Sequence, residues 1–386
     1  MKSKLEVLPG IRDLRFDTLR GLFLVCMTIN HLPTEMRAFT DQSLGIFSAA
    51  EGFVFLSGLI AGWVYTRKYR ALGAPGLMAA SAARAKSIYR WHVGSFLAAF
   101  VCVRATELYL GYCSPAVPRL FFEHPLESIG LGVSLLYQPG LLDLLPMYCA
   151  FVLMLPVIVR ALESGHRWLV LGVSASLWLA VQWAPPVDGA PLYPINTGSF
   201  NLLAWQFLFV AGVAIGQARL SGLEQMSRPR PWLLGVAAAV AVYAFGVHHY
   251  QWPVVWQDRA FGILLNKPAL GLLRLADFGA FAYMVAAFGA RFPSALTWRP
   301  LALLGRHSLA VVAAQSVAIM ALLPFAGPFE TLFSRTLTAA SVIALLFGVA
   351  WARERVIARR RAAAAPFGTR QPSGPGLVRP DDARAA

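Results

Sequence analysis

Residues 12–62 read RDLRFDTLRGLFLVCMTINHLPTEMRAFTDQSLGIFSAAEGFVFLSGLIAG. Two apolar runs, 16–32 and 44–66, each carry polar groups where lipid tolerates them least. Ten residues separate Arg20 from His31. At about 100° per residue the two side chains leave one helix face within about 20° of each other, about 16 Å apart along the axis. The second run brings Glu51 and the Ser57-Gly58 pair. Ionisable groups inside a membrane segment are costly enough that each is a functional-site hypothesis.

The rest of the chain supports a membrane reading. Of 386 residues, 57% are hydrophobic and only 14% charged, whereas soluble domains are nearer one quarter charged. Apolar runs of about 20 residues recur near 16–32, 44–66, 91–110, 135–159, 168–183, 200–217, 232–250, 269–290, 301–323 and 332–351. The expected fold class is therefore all-α, a polytopic integral membrane protein of about ten transmembrane helices. Pro139, Pro146 and Pro156 interrupt the fourth run, and residues 129–137 offer a separate short re-entrant piece.

The net charge of +15 does not point to nucleic acid, because the basic residues lie between long apolar runs instead of forming one polar face. With ten spans and a cytoplasmic N-terminus, most of the 34 Lys and Arg residues fall in inside segments, as the positive-inside rule requires, so both termini are expected in the cytoplasm. Arg20, Arg104, Arg274, Arg306 and Arg335 fall within or at the edges of spans and need local explanations. The four cysteines have no C-x-x-C spacing, His248 and His249 have no metal-ligand pattern around them, and no Gly-rich phosphate loop is present. No metal site, permanently bound cofactor or internal repeat is expected. Residues 1–353 form the membrane domain on this reading, and the basic stretch 354–386, rich in Ala, Pro and Gly toward its end, forms a disordered cytoplasmic tail.

His31 has the intrinsic basicity to accept a proton at neutral pH, and Pro33 loosens the helix just beyond it. Glu51 begins the returning span at a similar depth, where its carboxylate either orients the imidazole for acyl transfer or merely ties the two helices together by a hydrogen bond to His31. Arg20 either clamps an anion, since a guanidinium binds phosphate bidentately, or pairs with Asp17 one turn earlier. A phosphate clamp on the inner side and a base farther out suit a long donor threaded into the membrane with its reactive end outward, the shape of a coenzyme A thioester. Arg306 either assists with donor phosphate or anchors its helix at the inner face. Arg104 and Glu107 form an i, i+3 pair. Lys267, Arg274 and Asp277 either line an outward acceptor groove or anchor their span.

Taken in order, RDLRFDTLRGLFLVCMTINHLP (12–33), FSAAEGFVFLSGLIAG (47–62), DLLPMY (143–148), FNLLAWQFLFVAG (200–212), NKPALGLLRLADF (266–278) and LGRHSL (304–309) resemble the OpgC family of bacterial inner-membrane acyltransferases, linked to succinyl modification of osmoregulated periplasmic glucans. The broader membrane acyltransferase group has an Arg and a His, ten residues between them, in the first helix; here these are Arg20 and His31. The resemblance implies an O-acyltransferase that takes a succinyl group from cytoplasmic succinyl-CoA and passes it to a hydroxyl of a periplasmic glucan, with Arg20 and His31 essential; the reading of the residues adds Glu51 as a catalytic residue that orients His31, Arg20 as the donor clamp and Arg306 as its assistant. The expected partners are acyl-CoA, a polysaccharide acceptor and the lipid bilayer. The alternative is a transporter or flippase for a glycan or anionic lipid, its path lined by Arg20, Glu51, Arg104 and Arg274.

Overall fold

The computed structural model describes residues 13–111, 118–183, 198–221, 229–254, 264–323 and 331–364. These residues are helical throughout, joined by turns and short irregular segments, with no β-strand among them. The helices are α1 (Leu14–Asn30), α2 (Ala49–Leu110), α3 (Leu120–Glu123), α4 (Pro125–Val133), α5 (Leu144–Glu163), α6 (Arg167–Trp183), α7 (Leu202–Leu220), α8 (Pro231–Tyr250), α9 (Leu272–Arg291), α10 (Arg299–Arg306), α11 (Ser308–Leu322) and α12 (Leu332–Ala364). Six helices are long and apolar enough to cross a membrane, and a seventh span results if α10 and α11, bent by 84° at their junction, count as one. The chain is an all-α membrane protein. Among the described residues this count does not reach the ten spans expected: α1 and α6 have 17 residues each, shorter than the usual span of about 20, and two expected spans are continuous as one bent helix.

That shared helix, α2, is a hairpin. In a straight helix Phe53 and Ala85 would lie about 48 Å apart. Yet the Phe53 ring meets Tyr148 edge-on at 5.9 Å, and the next residue of α5, Cys149, directs its Sγ to the Ala85 carbonyl at 3.7 Å. Farther along α5, Ser81 Oγ donates to Val152 O at 2.6 Å and Arg70 Nε to Glu163 at 2.6 Å. The first arm therefore follows α5 one way and the second returns. The reversal is at Gly73, whose φ of 68° and ψ of −172° are non-helical, a conformation glycine reaches without a Cβ penalty.

Close backbone approach fixes two further pairs. Gly58 and Gly62 on α2 face the backbone of Phe209 and Val213 on α7, while Gly212 and Gly216 on α7 face Phe55 and Leu59 on α2. Each helix thus presents a small-xxx-small stripe to the other, the packing by which membrane helices associate without a hydrophobic driving force. A reciprocal crossing joins α1 to α10: a Cβ at Gly21 would overlap the Leu301 carbonyl, and one at Gly305 would overlap the Asp17 carbonyl. This crossing brings Arg20 beside the start of α11.

Two expected boundaries move. The fourth span begins at Leu144 instead of near 135, with Pro146 in its first turn, where no N–H is needed, and Pro156 accommodated inside it; residues 125–133 form the separate short helix α4. The last helix continues to Ala364, so residues 354–364, expected to belong to a disordered tail, are helical. Their Ala- and Arg-rich composition has high helix propensity, which the compositional argument for disorder overlooked. Residues 365–386 lie outside the described residues.

Candidate active site

α1 starts because the Asp13 side chain accepts from the Arg15 N–H at 3.0 Å and caps the first turn. It ends at His31, whose backbone N–H bonds to Thr28 and Ile29 carbonyls and whose φ of −101° and ψ of 1° leave the helical region. Arg20 and His31 are therefore carried by one continuous helix, with the spacing expected.

The Arg20 end is enclosed. Its Nη2 donates to Ser308 Oγ at 2.6 Å, and its guanidinium carbon lies 5.3 Å from the Phe53 ring centroid. It lines a half-open cavity of about 310 Å³ together with Ser57, Tyr65, Lys68, Arg84, Tyr148 and Ser308, over walls that include Phe53, Leu144, Val152 and Phe209. The two arms of the α2 hairpin supply the remaining cations: Lys68, stacked 5.2 Å from the Tyr65 ring centroid, and Arg84, exposed at the rim. Three cations and no carboxylate line this space. An anionic ligand with an apolar portion satisfies both features, since phosphate oxygens would neutralise the cations and the arm would cover the apolar wall.

The His31 end is open. The His31 side chain is exposed, and the charged groups bearing on its imidazole are Lys267, Arg37 and Asp41. Asn30 Nδ2 donates to Thr40 O at 3.3 Å and to Asp41 Oδ1 at 3.4 Å, folding the 3-10 turn Glu35–Phe39 back over the helix end. Lys267 belongs to a pinned turn: Trp205 Nε1 donates to the Lys267 and Pro268 carbonyls at 3.2 and 3.1 Å, and Gln182 Nε2 donates to Ala269 O at 2.7 Å.

Glu51 does not orient His31. Its Oε2 accepts from the Ser48 N–H at 2.9 Å and the Ser48 hydroxyl at 2.6 Å, and its Oε1 accepts from Arg274 Nη1 at 2.7 Å, with both side chains buried. Among the described residues no hydrogen bond joins Glu51 to His31. Glu51 is the third residue of α2 and reaches back to the residue that caps it, while Arg274 from α9 neutralises its charge, so its role is to hold two helices together. Asp277, one turn after Arg274, accepts from the Ile46 and Phe47 N–H groups at 2.7 and 3.1 Å and fixes the approach to α2.

Arg306 does not line the cavity. Its Nη1 pairs with Glu354 Oε1 at 2.8 Å, a partner in α12, which was expected to have ended before that residue. The other intramembrane charges are also accounted for: Arg104 pairs with Glu107, and Arg335 with Glu35 at 2.7 Å. Gln206 makes the bland interhelical contact, its Oε1 accepting from Ser174 Oγ at 2.6 Å. No cluster of His, Cys, Asp or Glu able to hold a metal occurs among the described residues.

Compared with known families, residues 12–357 match the family described as OpgC protein. The chain belongs to the OpgC family. Membership implies acyltransferase activity in general, related to osmoregulated periplasmic glucans. The OpgC match reaches past Glu354, so the residue that pairs with Arg306 lies inside it. No curated protein and no solved structure matches the chain.

Sequence reasoning missed Lys68, Arg84 and Ser308 as cavity residues. The two cations were read only as inside-loop charge, and the fold of the hairpin is what brings them to Arg20. Asp41 was also missed; its proximity to His31 depends on the turn after α1.

Proposed function

We propose that this protein is an inner-membrane O-acyltransferase that moves a succinyl group from cytoplasmic succinyl-CoA to a hydroxyl of a periplasmic glucan. The observation that carries the reading is one helix with Arg20 in a cation-lined cavity at one end and His31 exposed at the other, about 16 Å away. With both termini cytoplasmic, the cavity opens on the donor's side of the membrane. Arg20, Lys68 and Arg84 bind the phosphates of coenzyme A, and its arm runs along the apolar wall toward His31. His31 takes the proton of the acceptor hydroxyl, and the oxygen attacks the thioester carbonyl. The C–S bond breaks, the ester forms, and the proton leaves with the coenzyme A thiol. Lys267 and Arg37 supply positive charge near the developing oxyanion and near the succinyl carboxylate.

Two features weigh against the transporter alternative. Glu51 and Arg274 are committed to each other, and Arg104 to Glu107, so three of the four residues that would line its path are neutralised in pairs.

The test uses purified full-length protein in lipid vesicles. Release of free coenzyme A thiol from succinyl-CoA is expected only when glucan is added, with succinate recovered as ester on the glucan. Glucan crossing the vesicle membrane without any acyl-CoA would overturn the proposal in favour of transport.

A further inference from the structure

The junction between α10 and α11 lies between the cavity, which Ser308 lines, and the last helix, which carries Glu354. Three consecutive residues there reach outward. Arg306 Nη1 bonds to Glu354 Oε1 at 2.8 Å, His307 Nε2 bonds to Glu354 Oε2 at 2.6 Å, and Ser308 Oγ accepts from Arg20 Nη2 at 2.6 Å. One carboxylate from α12 thus grips both residues that precede the serine. The two helices bend by 84° at this point, and the backbone of His307, at φ −104° and ψ 23°, belongs to neither helix. Its N–H still bonds to the Leu303 and Leu304 carbonyls of α10 and its carbonyl accepts from the Ala310 and Val311 N–H groups of α11, so the backbone hinges at this one residue and side-chain partners add to what holds the bend. The grip is buried at its His307 end and open at its Glu354 end, where the carboxylate is 42% exposed. The His307 side chain is only 6% exposed, which leaves its ring no freedom to follow a moving partner, and Arg353, beside Glu354, lies 5.4 Å from the ring centroid of Trp91 on the second arm of α2.

We infer that Glu354 is a positioning residue for the donor cavity: by holding Arg306 and His307 it sets the bend that presents Ser308 to Arg20. Arg306 then serves the donor without touching it, as one half of the grip. The inference rests on the proposal that Arg20 binds the donor. It also gives Glu354, in the stretch expected to be a disordered tail, a place beside the site.

Coenzyme A binding to the full-length protein in detergent tests it, alongside thermal unfolding. Glu354→Gln is expected to weaken binding about tenfold. A residue that merely stabilised the bundle would lower the unfolding temperature and leave affinity per folded molecule unchanged, and that result would overturn the inference. The discriminating measurement is a double-mutant cycle with Ser308→Ala. If Glu354 acts through Ser308, adding Glu354→Gln to Ser308→Ala costs little further affinity; additive losses would refute the coupling. Should Glu354→Gln not fold, Arg306→Gln removes one arm of the grip at a half-exposed site and is expected to weaken binding about threefold, with no change counting against the inference. Failure of the parent proposal looks different: Arg20→Ala itself would leave coenzyme A affinity intact, and the inference would fall with it. Weakening by Arg20→Ala but not by the Glu354 and Arg306 variants would sink the positioning role alone.

Discussion

The two ends of α1 are built on opposite plans. At Arg20 the helix crosses α10 at two glycines, its guanidinium reaches Ser308 and Phe53, and two more cations arrive from a hairpin that α5 holds in register. At His31 the helix has ended, the imidazole is exposed, and the charged neighbours come from turns. A half-open cavity walled by closely packed helices suits a ligand of constant shape, whose binding cost is lowered by preorganisation. An open end suits a bulky acceptor presented from outside. On the proposed function, recognition of the donor falls to the packed end and chemistry to the loose one.

Three substitutions can break or sharpen that contrast. His31→Ala should have the largest effect, lowering turnover by about 10²–10⁴-fold, the usual worth of a general base, while coenzyme A affinity stays within about twofold of the parent. Substantial glucan succinylation by this variant would move the chemistry elsewhere. Glu51→Gln should act on the fold and not on the reaction. Removing one partner of a buried pair leaves Arg274 uncompensated at a cost of about 3 kcal/mol, read as a lower unfolding temperature, with turnover per folded molecule unchanged; a selective loss of turnover would restore Glu51 to the catalytic site. Arg20→Ala should show the mirror image of His31→Ala, a donor affinity lower by about tenfold or more from the loss of charge-assisted contacts. Saturating donor is expected to recover most of its turnover. If turnover collapses even at saturation, the division between the two ends is too sharp.

The pairing of Arg20 with His31 was legible because it depends only on helical period, a property local to one element. Glu51 was misassigned because depth in the membrane does not name a partner. Ser48 and Glu51, with two residues between them ahead of an apolar run, already had the spacing of a capping box, and that local claim on the carboxylate was the stronger signal. The small-residue stripes at Gly58 and Gly62 and at Gly212 and Gly216 were equally readable from their spacing. Arg306 was beyond reach, since its partner follows 48 residues later and no periodicity links them. Lys68 and Arg84 are instructive for another reason. On the proposed orientation they lie near the inner face, where charge that orients a membrane protein and charge that would bind an anionic substrate fall on the same residues, so composition alone assigns them to the first role.

The reversal at Gly73 carries one more consequence. Lys68 precedes it and Arg84 follows it, so the rim of the cavity depends on a phase relation between two helices that meet at a single residue. One residue inserted between Gly73 and Arg84 would advance the second arm by about 100°, carrying the arginine from the cavity into the place of Ala85, which is buried against α5, and bringing Ala83 into its position. The hairpin works as a dial: the length of chain after the turn, as much as the identity of the arginine, decides how many positive charges the donor meets.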